Sequence, residues 1–230
     1  MDEVAHGVFP PTHWSMVLSA GDDHSPASAE ALERLCGLYR EPVRRFLVGS
    51  GIPTSETEDI VQSFFVSLLR RKSFSRVAPE RGRFRTYLKR CLRNHLLDRP
   101  RPLPPGFRVE LDGLEESERD AVEPGTVDHP GHALDREWAE HVLHLAYLRL
   151  EERHPKEADP AFCHLRRFLA EEPGPGDYAT AAAETALASN TVAKRVQRLR
   201  EELDDCVREI LLETVGTPSE VEAEIRALFS

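Results

Sequence analysis

The chain has 230 residues, 40 acids against 30 Lys and Arg for a formal net charge of −10, and 40% apolar residues. That length accommodates one or two domains with packed cores, and a 30% charged fraction is high without being that of a disordered chain. No stretch approaches the roughly 18 consecutive apolar residues of a membrane span; Met1 to Trp14 has neither the basic start nor the apolar run of a secretory signal; and the four cysteines form no C-x-x-C pair, so a cytoplasmic protein without membrane attachment or a zinc or redox cysteine site is expected.

Residues 1–27 read as an N-terminal extension in which "HWSMVLSA" predicts a short helix packing Trp14, Val17 and Leu18. From Ser28 apolar residues recur at helical steps: Leu32, Leu35, Leu38, Tyr39, Val43, Phe46 and Leu47. Gly49, Gly51 and Pro53 interrupt them, and Ser55-x-x-Glu58 is a capping-box signature for a next helix carrying Ile60, Val61, Phe64, Phe65, Leu68 and Leu69. After a loop with Pro79 and Gly82, a third helix, Phe84 to Asp98, turns Phe84, Leu88, Cys91, Leu92, His95 and Leu96 to one side. Residues 28–98 thus form one helical domain. Residues 99–133 hold six prolines and many acids and form a linker without a core pattern.

Residues 134–215 are helical again. Leu134 to His154 carries Trp138, Val142, Leu145, Leu148 and Leu150; "FCHLRRFL" is a short helix; Tyr178–Thr185 meets a turn at Ala186–Ala188; and a long helix from Ser189 has Val192, Val196, Leu199, Leu203, Cys206 and Ile210 as its seam. Residues 216–230 are an amphipathic tail, either a regulatory latch or a surface helix filling a groove. The fold class is all-α: two small helical domains joined by a Pro-rich acidic linker. Cys36, Cys91, Cys163 and Cys206 all fall in helical apolar patterns and are expected as buried free thiols.

The charge is segregated along the chain. Phe65 to Arg101 holds twelve Arg and Lys against two acids, and Pro102 to Pro160 holds six against fifteen. On the Phe84–Asp98 helix, Arg85, Lys89 and Arg93 share a row beside Arg90, and like charges at i,i+4 repel by a few tenths of a kcal/mol per pair. An anion from outside the domain is expected to offset them. The second signal is a helix–turn–helix in which Ala186 stands where glycine is common and Ser189 or Asn190 can cap the second helix. Asn190, Thr191, Lys194, Gln197 and Arg198, with Arg195 and Arg200 beside them, suit major-groove reading.

These residues, in this order, resemble an extracytoplasmic-function (ECF) sigma factor of the sigma-70 family. "ETEDIVQSFFVSLLRR" resembles the region 2.2 helix, with Glu58, Asp59, Val61 and Gln62 in its core. "GRFRTYLKRCLRNHLLDRPR" resembles regions 2.3–2.4, through Tyr87, Leu88, Arg90, Arg93, Asn94 and Asp98. "YATAAAETALASNTVAKRVQRLREEL" resembles region 4.2, through Tyr178, Thr191, Val192, Arg195 and Arg198. The resemblance makes 28–98 a region 2 domain and 134–215 a region 4 domain, and implies as partners core RNA polymerase (its β′ and β subunits), promoter DNA, and an anti-sigma factor or other regulatory protein. It implies that Asp59, Gln62, Phe65 and Leu69 meet the polymerase. Arg81, Arg83, Tyr87, Arg90, Arg93 and Asn94 would hold an opened −10 element; Phe84 fits the core, and for Tyr87 base stacking and packing both stay open. Asn190, Thr191, Lys194, Arg195, Gln197 and Arg198 would read the −35 element.

A stand-alone helix–turn–helix regulator is the rival reading, and it leaves the basic segment 65–101 without a task. His141-x-x-His144 beside Glu140 has no third ligand in the sequence, and no phosphate-binding glycine loop or nucleophile elbow occurs. No cofactor, metal or catalytic residue is therefore expected, and the chain is read as a non-enzyme.

Overall fold

The computed structural model describes residues 12–20, 26–70, 84–100 and 130–229, with the side chains of residues 18–20 and 130–132 left aside. The loop with Pro79 and Gly82, which includes Arg81 and Arg83, and most of the linker lie outside the described residues. The elements are α1 (His13–Ala20), α2 (Pro26–Gly49), α3 (Thr54–Leu69), α4 (Phe84–Leu97), α5 (Pro130–Arg153), two single helical turns α6 (Phe162–Leu165) and α7 (Arg167–Ala170), α8 (Asp177–Thr185), α9 (Ser189–Leu212), a 3₁₀ turn Pro218–Glu220 and α10 (Val221–Phe229). The described residues form no strand element, so the chain is all-α as expected. None of the described helices is long and apolar enough to cross a membrane. The chain divides into two compact units, residues 1–141 with 211–230, and residues 142–210.

In the first unit, α2 ends in a turn that Gly51 permits by adopting φ +87°. The next helix is not capped as the sequence suggests. Its N-cap is Pro53, without a side-chain cap bond, and the Pro53 carbonyl accepts from Glu56 N at 2.8 Å and Thr57 N at 3.0 Å. Proline has no N–H, and its fixed φ suits an entry to a helix, so the local backbone rather than Ser55 starts α3.

The core of this unit is aromatic. Trp14, Tyr39, Phe84 and Trp138 are all at most 1% exposed. Tyr39 stacks on Trp138 with ring centres 4.0 Å apart, and Phe84 meets Tyr39 and Trp14 edge-on at 5.2 Å each. Such pairs add to the stabilisation from area alone. The short helix expected at the N-terminus is present, and it buries Trp14 and Val17.

Residues 213–215 close the first unit. Trp14 N donates to Glu213 O at 3.3 Å and Phe84 N to Thr214 O at 3.1 Å, each satisfying a backbone donor in the first turn of a helix, where no intrahelical acceptor exists. Thr12 Oγ1 donates to Val215 O at 2.6 Å, and Arg34 grips Glu213 through Nε at 2.7 Å and Nη2 at 3.2 Å.

The second unit packs Val142, Ala146, Leu150, Phe162, Leu165, Phe168, Ala181, Val192, Val196, Leu199, Cys206 and Ile210. Leu148, read as part of the seam, is 43% exposed. The cysteine expectation also needs correction: Cys36, Cys91 and Cys206 are buried, but Cys163 is exposed, because the α6 turn turns Phe162 and Leu165 inward instead. Burial pushes the Cys36 thiol up to about 12, with Glu33 adding to the shift, which keeps that thiol protonated and inert.

Candidate nucleic-acid interface

Helix α3 presents two faces. Ile60, Val61, Phe64, Phe65 and Leu68 are buried. Asp59, Gln62, Val66 and Leu69 are exposed and recur at steps of three and four, so they share one face. Of the four residues assigned to polymerase binding, Asp59, Gln62 and Leu69 lie on that face. Phe65 points inward, its ring 4.9 Å from Phe64. Val66, 37% exposed, takes its place beside Leu69, 44% exposed; the helical period could have identified Val66 from the sequence. Two solvent-facing apolar side chains beyond an acid and an amide on the same face suit a protein-binding surface.

Helix α4 departs most from expectation. By its spacing the row Arg85, Lys89 and Arg93 forms an exposed basic face that an anion from outside the 28–98 domain offsets. Arg85 and Lys89 are instead buried, 6% and 9% exposed. Arg85 donates from Nε to Glu224 Oε1 at 2.9 Å and from Nη2 to Glu224 Oε2 at 3.0 Å, a bidentate pair. Its Nη1 also meets Asp135 Oδ1, as does Lys89 Nζ. The balancing anions do come from outside residues 28–98, as expected, but from this same chain, 46 and 139 positions distant from Lys89 and Arg85 respectively. Burial opposes the charged guanidinium, yet Asp135 and Glu224 outweigh it and hold the Arg85 pKa above its ordinary value. Lys89 goes the other way: burial and the neighbouring Arg85 lower its pKa against the pull of Asp135.

What remains on the outer side of α4 is Arg90 and Asn94, exposed and one turn apart, with Arg93 half-buried beside them. Tyr87 is half-buried, its ring 5.4 Å from Trp14 and 6.3 Å from Phe84. The aromatic partner Trp14 comes from 73 residues earlier in the chain, a contact no local pattern discloses. His95 links the helix to α3 through Ser63 Oγ at 3.1 Å.

In the second unit, α8 and α9 are joined by a short turn in which Ala186 adopts the left-handed region at φ 55°. That conformation suits glycine, and an alanine there is strained. Ala186→Gly is expected to stabilise this unit by about 0.5–1 kcal/mol, the relief of strain exceeding glycine's entropic penalty. Thermal unfolding followed by far-ultraviolet circular dichroism checks it; no gain would mean that the turn carries no strain.

Helix α9 already includes Ser189, and the Ala188 carbonyl accepts from Thr191 N at 2.8 Å and Val192 N at 3.0 Å, so the start lies one residue before the expected cap. Asn190, Thr191, Lys194, Gln197 and Arg198 are exposed along one side. Gln197 Nε2 donates to Glu201 at 3.0 Å and Arg198 Nε to Glu202 at 3.1 Å. Arg195 is turned away to Asp159, its Nη2 at 2.5 Å. Arg200 donates to the Phe168 carbonyl at 2.9 and 3.2 Å and is structural.

Behind this face His154 lies between two carboxylates, Nδ1 at 2.8 Å from Asp159 Oδ2 and Nε2 at 2.6 Å from Glu202 Oε2, stacked on Phe162 at 5.0 Å. Burial raises the Asp159 pKa, but hydrogen bonds from Arg195 and His154 bring it below the ordinary value. The hub anchors the end of α5 to α9 and sets the side of α9 that is left open. Among the described residues no group of three or more His, Cys, Asp or Glu is placed to hold a metal ion.

Residues 35–101 match the family model of sigma-70 region 2. The matched span holds most of α2 and all of α3 and α4, the elements that carry the exposed α3 face and the outer row of α4. No curated protein and no solved structure matches the chain.

Proposed function

We propose that the chain is a sigma factor of the extracytoplasmic-function group, acting in the cytoplasm as the promoter-reading subunit of bacterial RNA polymerase, by binding rather than by catalysis. The observation that carries this reading is the sigma-70 region 2 domain at residues 35–101. The exposed α3 face, Asp59, Gln62, Val66 and Leu69, is suited to the polymerase β′ subunit. Arg90, Arg93 and Asn94 on α4, joined by Tyr87 and the loop residues Arg81 and Arg83, would hold the −10 element as an opened strand, where cations track phosphates and exposed bases need platforms.

The α8–α9 hairpin supports −35 reading in duplex DNA. Asn190, Thr191, Lys194, Gln197 and Arg198 would face the groove, a good bidentate base contact being worth ~1–3 kcal/mol, and Arg195 would steady the helix through Asp159. A stand-alone regulator would leave the region 2 domain without a role.

Run-off transcription with core RNA polymerase across a genomic promoter library tests the reading. Wild type is expected to give sigma-dependent transcripts, and the Arg90→Ala/Arg93→Ala variant to lose at least ~10-fold, each phosphate or base contact contributing about a kcal/mol or more. Absence of any sigma-dependent transcript from wild-type protein would overturn it.

A further inference from the structure

We propose that Arg85 and Lys89 form a phosphodiester-binding site on α4 that the carboxylates of Asp135 and Glu224 occupy in the free chain, and that helix α10 is the removable part of that cover. The inference rests on the proposed sigma reading only in taking single-stranded DNA as the ligand. The two cations lie one turn apart on the helix that also carries Arg90 and Asn94. Glu224 presents two oxygens to the Arg85 guanidinium at 2.9 and 3.0 Å, the same forked arrangement that a phosphate offers. The position of an acid on the most basic helix of an acidic chain is thus that of an internal competitor for DNA.

Helix α10 is built to leave. It has nine residues, below the length at which a helix is stable alone. It buries only Val221 and Glu224, leaving Ala223, Ile225 and Leu228 half-buried and Phe229 40% exposed. The segment before it is anchored separately: Thr214 and Val215 are buried and their carbonyls are engaged by Phe84 and Thr12. Between anchor and helix lies a turn held by Glu220 Oε2, which accepts from Gly216 N at 2.9 Å and Thr217 N at 3.1 Å. Few buried apolar groups beyond a turn mark α10 as a low-stability element. When it lifts, Asp135 alone faces two cations, and a phosphate can supply the missing charge.

The test is binding of the full chain to a fluorescent twelve-nucleotide oligothymidine, over a range of salt concentrations. Glu224→Gln removes the competing charge and keeps an amide against Arg85; Val221→Ser weakens the docking of α10 without touching the ion pairs. Both are expected to bind about 10-fold tighter at 50 mM salt, with the salt dependence steeper by about 0.7–1.4 in log–log slope, the increment for one or two added phosphate contacts to a single strand. Adding Lys89→Ala should abolish the gain. A purely structural role predicts folded variants with wild-type or weaker affinity, which would overturn the proposal.

Wild-type protein gives a second reading that does not depend on variant folding. Saturating oligothymidine is expected to speed hydrogen exchange at amides 222–229, and unchanged or slowed exchange there overturns the proposal. If wild type supports sigma-dependent transcription while these binding results fail, the cover alone is refuted. If the binding results hold without transcription, the sigma reading falls instead.

Discussion

Replacing Arg85 with Ala is expected to destabilise the first unit by about 1–3 kcal/mol, because Glu224, 1% exposed, then loses its bidentate guanidinium and helix α10 undocks to return the carboxylate to water. Asp135 keeps Lys89, but one buried cation then faces the buried Glu224 and the half-buried Asp135. The readout is direct: the chain has two tryptophans, Trp14 and Trp138, and both lie in this unit, so urea unfolding followed by tryptophan fluorescence reports on it alone. The double variant Arg85→Met/Glu224→Leu should recover most of the loss, since an apolar pair of similar volume often matches a buried ion pair in stability. A loss below about 1 kcal/mol for Arg85→Ala would show that the ion pair contributes nothing to holding α10 in place.

Trp138→Ala should have a larger effect, about 3–5 kcal/mol, since it leaves a cavity against the face of Tyr39, whose ring it stacks at 4.0 Å. Trp14 remains as the fluorescent reporter, in edge contact with Phe84 at 5.2 Å. Trp138→Phe should cost markedly less, since it keeps an aromatic plane on Tyr39 and a smaller void. Hydrogen exchange should rise first at residues 134–141, the segment that Trp138 pins to the core. Equal exchange in wild type and variant would place the stabilisation elsewhere.

The two substitutions concern residues that the local pattern describes unequally. Trp138 lies on an apolar helical seam and could be assigned to a core from its spacing, although its partner Tyr39 could not. Arg85 lies in a basic row, and its spacing argues for exposure. Neither Asp135 nor Glu224 stands near it in the chain, so the ion pairs had no sequence signal short of knowing which helices meet. For Tyr87 the same holds: its half-buried position depends on Trp14, which lies beyond α2 and α3 in the chain. Cys163 shows the converse error, since a helical apolar pattern around it proved compatible with exposure once the helix shortened to a single turn.

The candidate sites divide along the same line. The outward set of α9, Asn190, Thr191, Lys194, Gln197 and Arg198, follows from helical period alone, because Val192, Val196 and Leu199 fix which side is buried. Arg195 has the same composition and neighbourhood in sequence, yet Asp159 draws it aside. On α3 the period distinguishes Val66 from Phe65, one outward and one inward, although both read as apolar.

By itself the sequence determined the helices, their amphipathic faces, the segregation of basic from acidic segments and the turn at Ala186, all of which depend on interactions within a few residues. Only the tertiary structure decided which charges are available. Burial and long-range pairing assign Arg85 and Lys89 to Asp135 and Glu224 and leave Arg90 and Asn94 outside. A charge's cost in a protein is set by the groups that surround it in space, and those groups arrive from far along the chain.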